Sequence, residues 1–417
     1  MTGKNGYDAQ TLLPPRGGSP RKQPGRCAAP RGTGRQLVLL SQGAGCASAA
    51  ILRRTAGVRV ALSSDFAGAV RPAPLSPGEG VVFERLGAAL LLADPDQTRA
   101  LARAQGQVLR VEPERFVRAH GLMGHLPETS ALSDTALAAW GLQATRALSC
   151  PYTGRGVRVA ILDTGLDFEH PDFAGRAVAA QSFIEGHSAL DANGHGTFCA
   201  GVACGPERPA DGPRYGVASA AELFIAKVLD DNAGGTDGNV LAGIDWAVRN
   251  ECAIVSMSLG SPVLVGESYP EIYEQAAARA LAAGTVLIAP AGNESSRPDE
   301  IAPVEHPANC PSIVAVGAVD QRLEVAPFSN GALNPGGEVD LVGPGIAIAS
   351  ATLRPSVYQT ASGTSMAAPH VAGIAALLAE ARPDARGAAL RTLLLQTAQA
   401  LTAPARDAGA GLAQAPQ

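Results

Sequence analysis

The feature that most constrains this chain is a series of short, almost wholly apolar segments at 157–162, 222–228, 254–259, 286–290, 312–318 and 339–342. Runs of this kind, without polar alternation, belong to strands buried on both faces, as happens where helices cover a sheet from both sides. The intervening sequence supplies helical patterns at 194–202, 239–249, 271–283, 365–381 and 388–399. Parallel strands need a crossover element between them, so the alternation predicts an α/β three-layer sandwich with a mostly parallel sheet. Hydrophobic residues are 46% of the 417 and aromatics only 4%, so Ala, Val, Leu and Ile must fill this core.

Upstream the pattern is different. Strands are expected at 37–40, 58–63, 88–92 and 108–111, helices at 46–55 and 96–104, and a Pro/Gly-rich turn at 71–80. This βαβ–βαβ order predicts a small ferredoxin-like α+β domain over 37–119. Residues 1–36 carry seven Lys or Arg against Asp8, with many Gly and Pro, and read as a disordered, solvated tail. A connector at 120–150 with a short helix at 134–139, capped by Ser133, leads into the large domain at 151–412. A net charge of -5 gives no case for a nucleic-acid partner, and no stretch is apolar for long enough to span a membrane. Seven cysteines without a CxxC pair predict reduced, mostly buried thiols. The first ten residues are polar and the nearest apolar run, 37–40, is too short for a secretory signal. The compartment stays open between cytoplasmic and non-classical export.

Four residues stand where chemistry can happen. Asp163 ends an apolar strand in VAILDTGLDFEHPDF, where open α/β sheets place their sites, although a turn-capping Asp fits equally. His195 lies between two glycines in DANGHGTFCAG at the start of a helix, suited to a general base or to a structural role. Ser365, in ASGTSMAAPHVAG, opens an apolar helix whose free N–H groups would favour a neighbouring oxyanion, or for which it is simply an N-cap. Asn293, in IAPAGNES, follows a buried strand and is either an oxyanion donor or a turn residue.

Taken together, DTGLDFEHPDF, GHGTFCAG, SLG at 258–260, AGN at 291–293 and GTSMAAPHVAG resemble the motifs of the subtilisin-like serine peptidases, over about residues 152–412. The order Asp, His, Ser is that of subtilisin. The resemblance implies an endopeptidase acting on polypeptides, with Ser365 as nucleophile, His195 as base and then acid, Asp163 as its orienter, and no cofactor for the chemistry. Asn293 with the Ser365 N–H would form the oxyanion hole. Ser258, Leu259 and Gly260, with Ala291 and Gly292, would line a cleft that pairs with substrate as an added strand. The 37–119 unit resembles the family's propeptide, so the chain reads as a self-processing, monomeric precursor inhibited by its own segment, cut between residues 118 and 130.

The chain also departs from the family's pattern. Asp172 matches the carboxylate ligand of a structural calcium ion, while the loop CGPERPADGPRYGVA lacks the other expected side chains, leaving Asp211 and backbone carbonyls. Glu305 falls at the base of the pocket for the residue before the cut, where it would favour Lys or Arg, or else it lies displaced on a variable loop. Cys199, one helical turn past His195, should be a structural thiol beside it. Two further readings of the whole chain are a processing protease of narrow specificity and a silent binding protein on the same scaffold.

Overall fold

The structure, a computed structural model, describes residues 33–41, 45–65, 75–104, 106–119 and 132–417. The expected tail up to residue 32 and most of the expected connector and cleavage window lie outside the described residues. The chain divides between residues 31 and 32, and all described elements belong to the second unit, Gly32–Gln417.

The second unit begins with β1 (Gln36–Leu40), α1 (Gly45–Ala56), β2 (Arg59–Leu62), β3 (Glu79–Phe83), β4 (Ala88–Leu92), α2 (Pro95–Arg103) and β5 (Val108–Pro113). They form a five-stranded sheet in the order β2-β3-β4-β1-β5. The β3-β4-β1-β5 part is antiparallel throughout, the ferredoxin-like arrangement, and β2 is added parallel at its edge. β3 was not expected, because Pro77, Gly78 and Gly80 disguise it as turn. Alternate residues of these strands face opposite ways. Val38, Leu40, Val82 and Leu91 meet Leu52 and Leu101 of the two helices. Leu37, Leu39, Phe83 and Leu90 turn to the other side and join the core of the larger layer structure.

The chain continues through β6 (Phe116–Ala119), α3 (Trp140–Ala144), β7 (Arg158–Asp163), β8 (Val178–Ser182), α4 (His195–Cys204), β9 (Glu222–Lys227), β10 (Gly234–Thr236) and α5 (Asp237–Arg249). Then follow β11 (Ile254–Ser256), β12 (Leu259–Gly260), α6 (Glu271–Ala282), β13 (Val286–Pro290), β14 (Val314–Val319) and β15 (Leu341–Pro344). The hairpin β16 (Ile348–Ala351) and β17 (Tyr358–Ala361), then α7 (Thr364–Ala381), α8 (Ala388–Gln396) and α9 (Ala405–Ala408), complete it. The helix expected at 134–139 is instead a turn. There the Thr135 hydroxyl donates to the Ala138 carbonyl, competing with a helical ladder, while Asp134 accepts the Trp140 N–H that opens α3.

Seven strands form one parallel sheet in the order β15-β14-β13-β11-β7-β9-β8. Val159, Ile161, Ile254 and Ile288 pack against Phe198, Val371 and Ile374 of α4 and α7. Their neighbours Ala160, Leu162, Val255 and Leu287 pack against Leu241, Ile244 and Ala276 of α5 and α6. This is the expected three-layer sandwich. The edge strand β8, half exposed and weakly apolar, carried no such signal. No helix among the described residues is long and apolar enough to cross a membrane.

Candidate active site

β7 ends on Asp163 and α4 begins on His195, and glycine lets the two ends meet. Gly196 lies so close to the Gly165 carbonyl that a Cβ would collide with it. The loop before α4 is fixed by Asp191. Its Oδ1 accepts the N–H groups of Asn193 and Gly194, each at 2.9 Å, and its Oδ2 accepts the Thr197 N–H and hydroxyl at 2.9 and 2.7 Å. Thr164, next to Asp163, donates to Asp191 at 2.9 Å and accepts the Gly196 N–H at 2.9 Å. His195 Nδ1 consequently sits 2.8 and 3.0 Å from the two Asp163 carboxylate oxygens, both side chains being buried. Burial disfavours the charged ring, but the Asp163 carboxylate more than offsets it and holds the His195 pKa well above its ordinary value. Burial raises the pKa of the adjacent Cys199 thiol, so that group is neutral and Asp163 is the operative charge.

Ser365 is the second residue of α7. Its carbonyl accepts hydrogen bonds from Ser258 Oγ at 2.9 Å and Cys199 Sγ at 3.6 Å, and the same sulfur is 3.8 Å from His195 Nδ1. The shared sulfur puts the Ser365 main chain near the His195 ring. Asn293 Oδ1 accepts the Thr364 N–H and hydroxyl at 2.9 and 2.8 Å. That pairing settles which way the amide faces, and its Nδ2 lies beside Gly363, the residue before α7. Asn330 braces this loop from 35 residues downstream, accepting from the Ser295 N–H at 3.0 Å and donating to Glu294 at 2.7 Å. Among the described residues, His195 Nε2, Ser365 Oγ and Asn293 Nδ2 are buried without a hydrogen-bond partner. They are three of several such buried side-chain atoms, and each is open to pairing with a bound molecule.

β6 lies antiparallel between β10 and β12, with Gly235 opposite Val117, and Leu259 and Gly260 opposite Ala119 and Arg118. The Ala119 N–H adds a bond to the Ala233 carbonyl at 3.0 Å. Val117 is buried inward, whereas Phe116 and Arg118 face out. In the adjoining wall the Ala291 carbonyl accepts the Glu305 N–H at 3.0 Å and the Gly292 carbonyl accepts the Asn330 N–H at 3.2 Å. Glu305 is buried rather than on an exposed loop, and its carboxylate lies where a Gly260 Cβ would collide with it.

Asp172 is differently placed. One oxygen accepts the Ala210 N–H at 2.7 Å, and the other accepts the hydroxyls of Tyr215 and Tyr358 at 2.5 and 3.0 Å. Burial first, and then Asp172 itself, raise the pKa of both phenols, that of Tyr358 to about 12, so they stay protonated donors. A cation needs converging oxygen acceptors, and this donor set does not fit one. The cysteines with described side chains, Cys150, Cys199, Cys204, Cys252 and Cys310, are free thiols. Two supports went unassigned in the sequence. Asp191 carried a detectable signal, an Asp ahead of Asn-Gly at a helix start, whereas Asn330 carried none.

Comparison with known proteins agrees with this geometry. The model of a family described as the subtilase family matches residues 154–412. Subtilisin DY of Bacillus licheniformis is 37% identical over 248 residues, 59% of this chain and 85% of its own length. Subtilisin E of Bacillus subtilis (strain 168) is 38% identical over 247 residues, and there the chain spans 61% of the relative. An intracellular serine protease of Paenibacillus polymyxa is 40% identical over 230 residues, 54% of this chain and 67% of its own length.

Proposed function

The chain belongs to the subtilase family and is a serine-type endopeptidase, and on that premise we propose that Ser365, His195, Asp163 and Asn293 are its catalytic residues. The observation that carries the assignment is the group of three unsatisfied buried atoms, Ser365 Oγ, His195 Nε2 and Asn293 Nδ2. Ser365 Oγ attacks the peptide carbonyl as His195 Nε2 takes its proton, and Asp163 stabilises the imidazolium through Nδ1. The oxyanion is received by Asn293 Nδ2 and the Ser365 N–H at the start of α7. His195 returns the proton to the leaving amine, and water then hydrolyses the acyl-enzyme by the same route. Ser365→Ala should fold normally and lose activity by several orders of magnitude. Undiminished turnover, or failure of a fluorophosphonate probe to label the active wild type, would overturn the assignment.

The segment through β6 acts as an inhibitory propeptide of a self-processing precursor. Its last described strand occupies the position a substrate strand would take, and it runs toward Ser258 and Ser365. If Ser365→Ala precursor still matured alone, self-processing would be wrong. The buried Glu305 beneath Gly260 favours Lys or Arg at the residue before the cut, since a carboxylate there attracts a cation and adds nothing for Phe. Glu305→Gly should lower the ratio of Arg to Phe hydrolysis by roughly tenfold or more. An unchanged ratio would remove Glu305 from the pocket. No cofactor is needed for the chemistry, and the Asp172 loop holds itself by hydrogen bonds in place of calcium.

A further inference from the structure

We infer that recognition reaches a sixth residue upstream of the cut bond, read by Asp237 and Glu267; this rests on the peptidase reading above. Just before β6, Arg115 is held at three points. Its N–H donates to Asp237 Oδ2 at 3.0 Å, and its carbonyl accepts the Asp237 N–H at 3.1 Å. Its guanidinium lies 3.4 Å from Glu267 Oε1.

Both carboxylates are already fixed by other groups of the peptidase domain. The remaining oxygen of Asp237 is 2.9 Å from Nε2 of the wholly buried His306, whose ring meets the Tyr273 ring edge-on at 4.5 Å. The other oxygen of Glu267 accepts the Leu264 N–H at 3.1 Å. A receptor group held in place before binding loses less entropy when it binds. Asp237, Glu267, His306 and Tyr273 all lie downstream of β6, so the seat stays with the peptidase when the segment leaves.

The neighbouring residue makes a useful contrast. Glu114 accepts the Gly238 N–H at 2.9 Å, but it also pairs with Arg35 at 2.6 Å, a residue of the segment itself. That second seat is completed by the segment and serves only its own docking. The Arg115 seat owes nothing to the segment except its occupant.

Register supplies the count. Ala119 lies opposite Leu259, so the next residue of an occupant falls opposite Ser258, whose hydroxyl touches the Ser365 carbonyl. With the bond after that residue taken as the one Ser365 Oγ attacks, the place of Arg115 is the sixth before it. The substrate class is therefore an extended polypeptide with Lys or Arg at the sixth upstream position.

The test uses full-length protein incubated until its activity is constant, and peptides that share the sequence of residues 116–121. One series carries Arg, Glu or nothing ahead of them, with acetylated ends and with Arg in place of His120 before the cut. A hydrogen bond from a backbone N–H to a carboxylate predicts that Arg raises kcat/KM by roughly tenfold or more over the truncated peptide. The exposed ion pair predicts a further preference of about threefold for Arg over Glu. Asp237→Asn would also disturb His306, so the deciding variant is Glu267→Arg on the surface loop, which should reverse the order of Arg and Glu. Equal rates for all peptides, or a retained Arg preference in Glu267→Arg, would overturn the subsite while fluorophosphonate labelling and cleavage left the peptidase reading standing. No cleavage and no labelling would overturn both.

Discussion

At the scale of single residues, the site is an electrostatic device in which one buried carboxylate governs one buried imidazole. Because Asp163 holds the His195 pKa above the ordinary 6.5, the neutral base that the proposed attack requires is populated only at higher pH. The acid limb of the pH–rate profile should therefore lie above 6.5, and Asp163→Asn should lower kcat by about four orders of magnitude. Linkage has the opposite sense. A folded-state pKa raised above the unfolded value adds stability that is fully present below about pH 6.5 and lost as pH rises through the raised value. Melting curves of Ser365→Ala with and without Asp163→Asn should show that loss on the alkaline side, and a loss on the acid side would contradict it. Cys199, with its raised pKa and its sulfur 3.8 Å from His195 Nδ1, is a bystander to catalysis whose modification would displace the ring. Mercurials should inhibit wild type and spare Cys199→Ala, which should keep most activity.

Among the elements, α4 depends on the loop ahead of it. Asp191 alone satisfies Asn193, Gly194 and both donors of Thr197, so Asp191→Ala strands several buried donors at once. Each unsatisfied donor costs about 1–3 kcal/mol, and a few kcal/mol of stability should be lost together with kcat, measurable by denaturant unfolding and single-turnover kinetics. The loop around Asp172 makes the converse case. Its carboxylate is held by Ala210, Tyr215 and Tyr358, so a chelator should leave the melting temperature unchanged, whereas Tyr215→Phe should cost about 1–3 kcal/mol. A melting point that falls on chelation and recovers with calcium would refute the hydrogen-bonded reading of this loop.

Considered as a whole, the second unit of the molecule shares one apolar core between its small sheet and its large one. Leu37, Leu39, Phe83 and Leu90 bury their side chains with α5 and α6, and Arg279 of α6 donates to the carbonyls of Leu40 and Leu86. The small sheet has apolar residues on both faces, and its own helices cover only one. Phe83→Ala should therefore loosen docking by about 3–5 kcal/mol, the range for truncating a buried Phe. The activity of the incubated precursor should then appear earlier, and an unchanged lag would show that this face does not hold the segment.

The layer architecture was legible because burial on both faces imposes unbroken apolar runs, and the candidate triad because its glycines and polar residues are local to each motif. Gly196, for instance, is required by the single approach to Gly165 that brings His195 to Asp163. Other features became visible only in three dimensions. β6 has no marked apolar run, and it is a strand only because β10 and β12, more than 100 residues away in sequence, offer it free backbone groups. Asn330 braces the loop after Asn293 from a distance, and Asp237 meets His306 across 69 residues. Asp172, read from its motif as a calcium ligand, faces donors contributed by two distant tyrosines. Local sequence determines which groups a segment offers, since periodicity and turn chemistry act over a few residues. Which partner each group finds is decided by the packing of segments far apart in the chain, and that exists only once the sheet has formed.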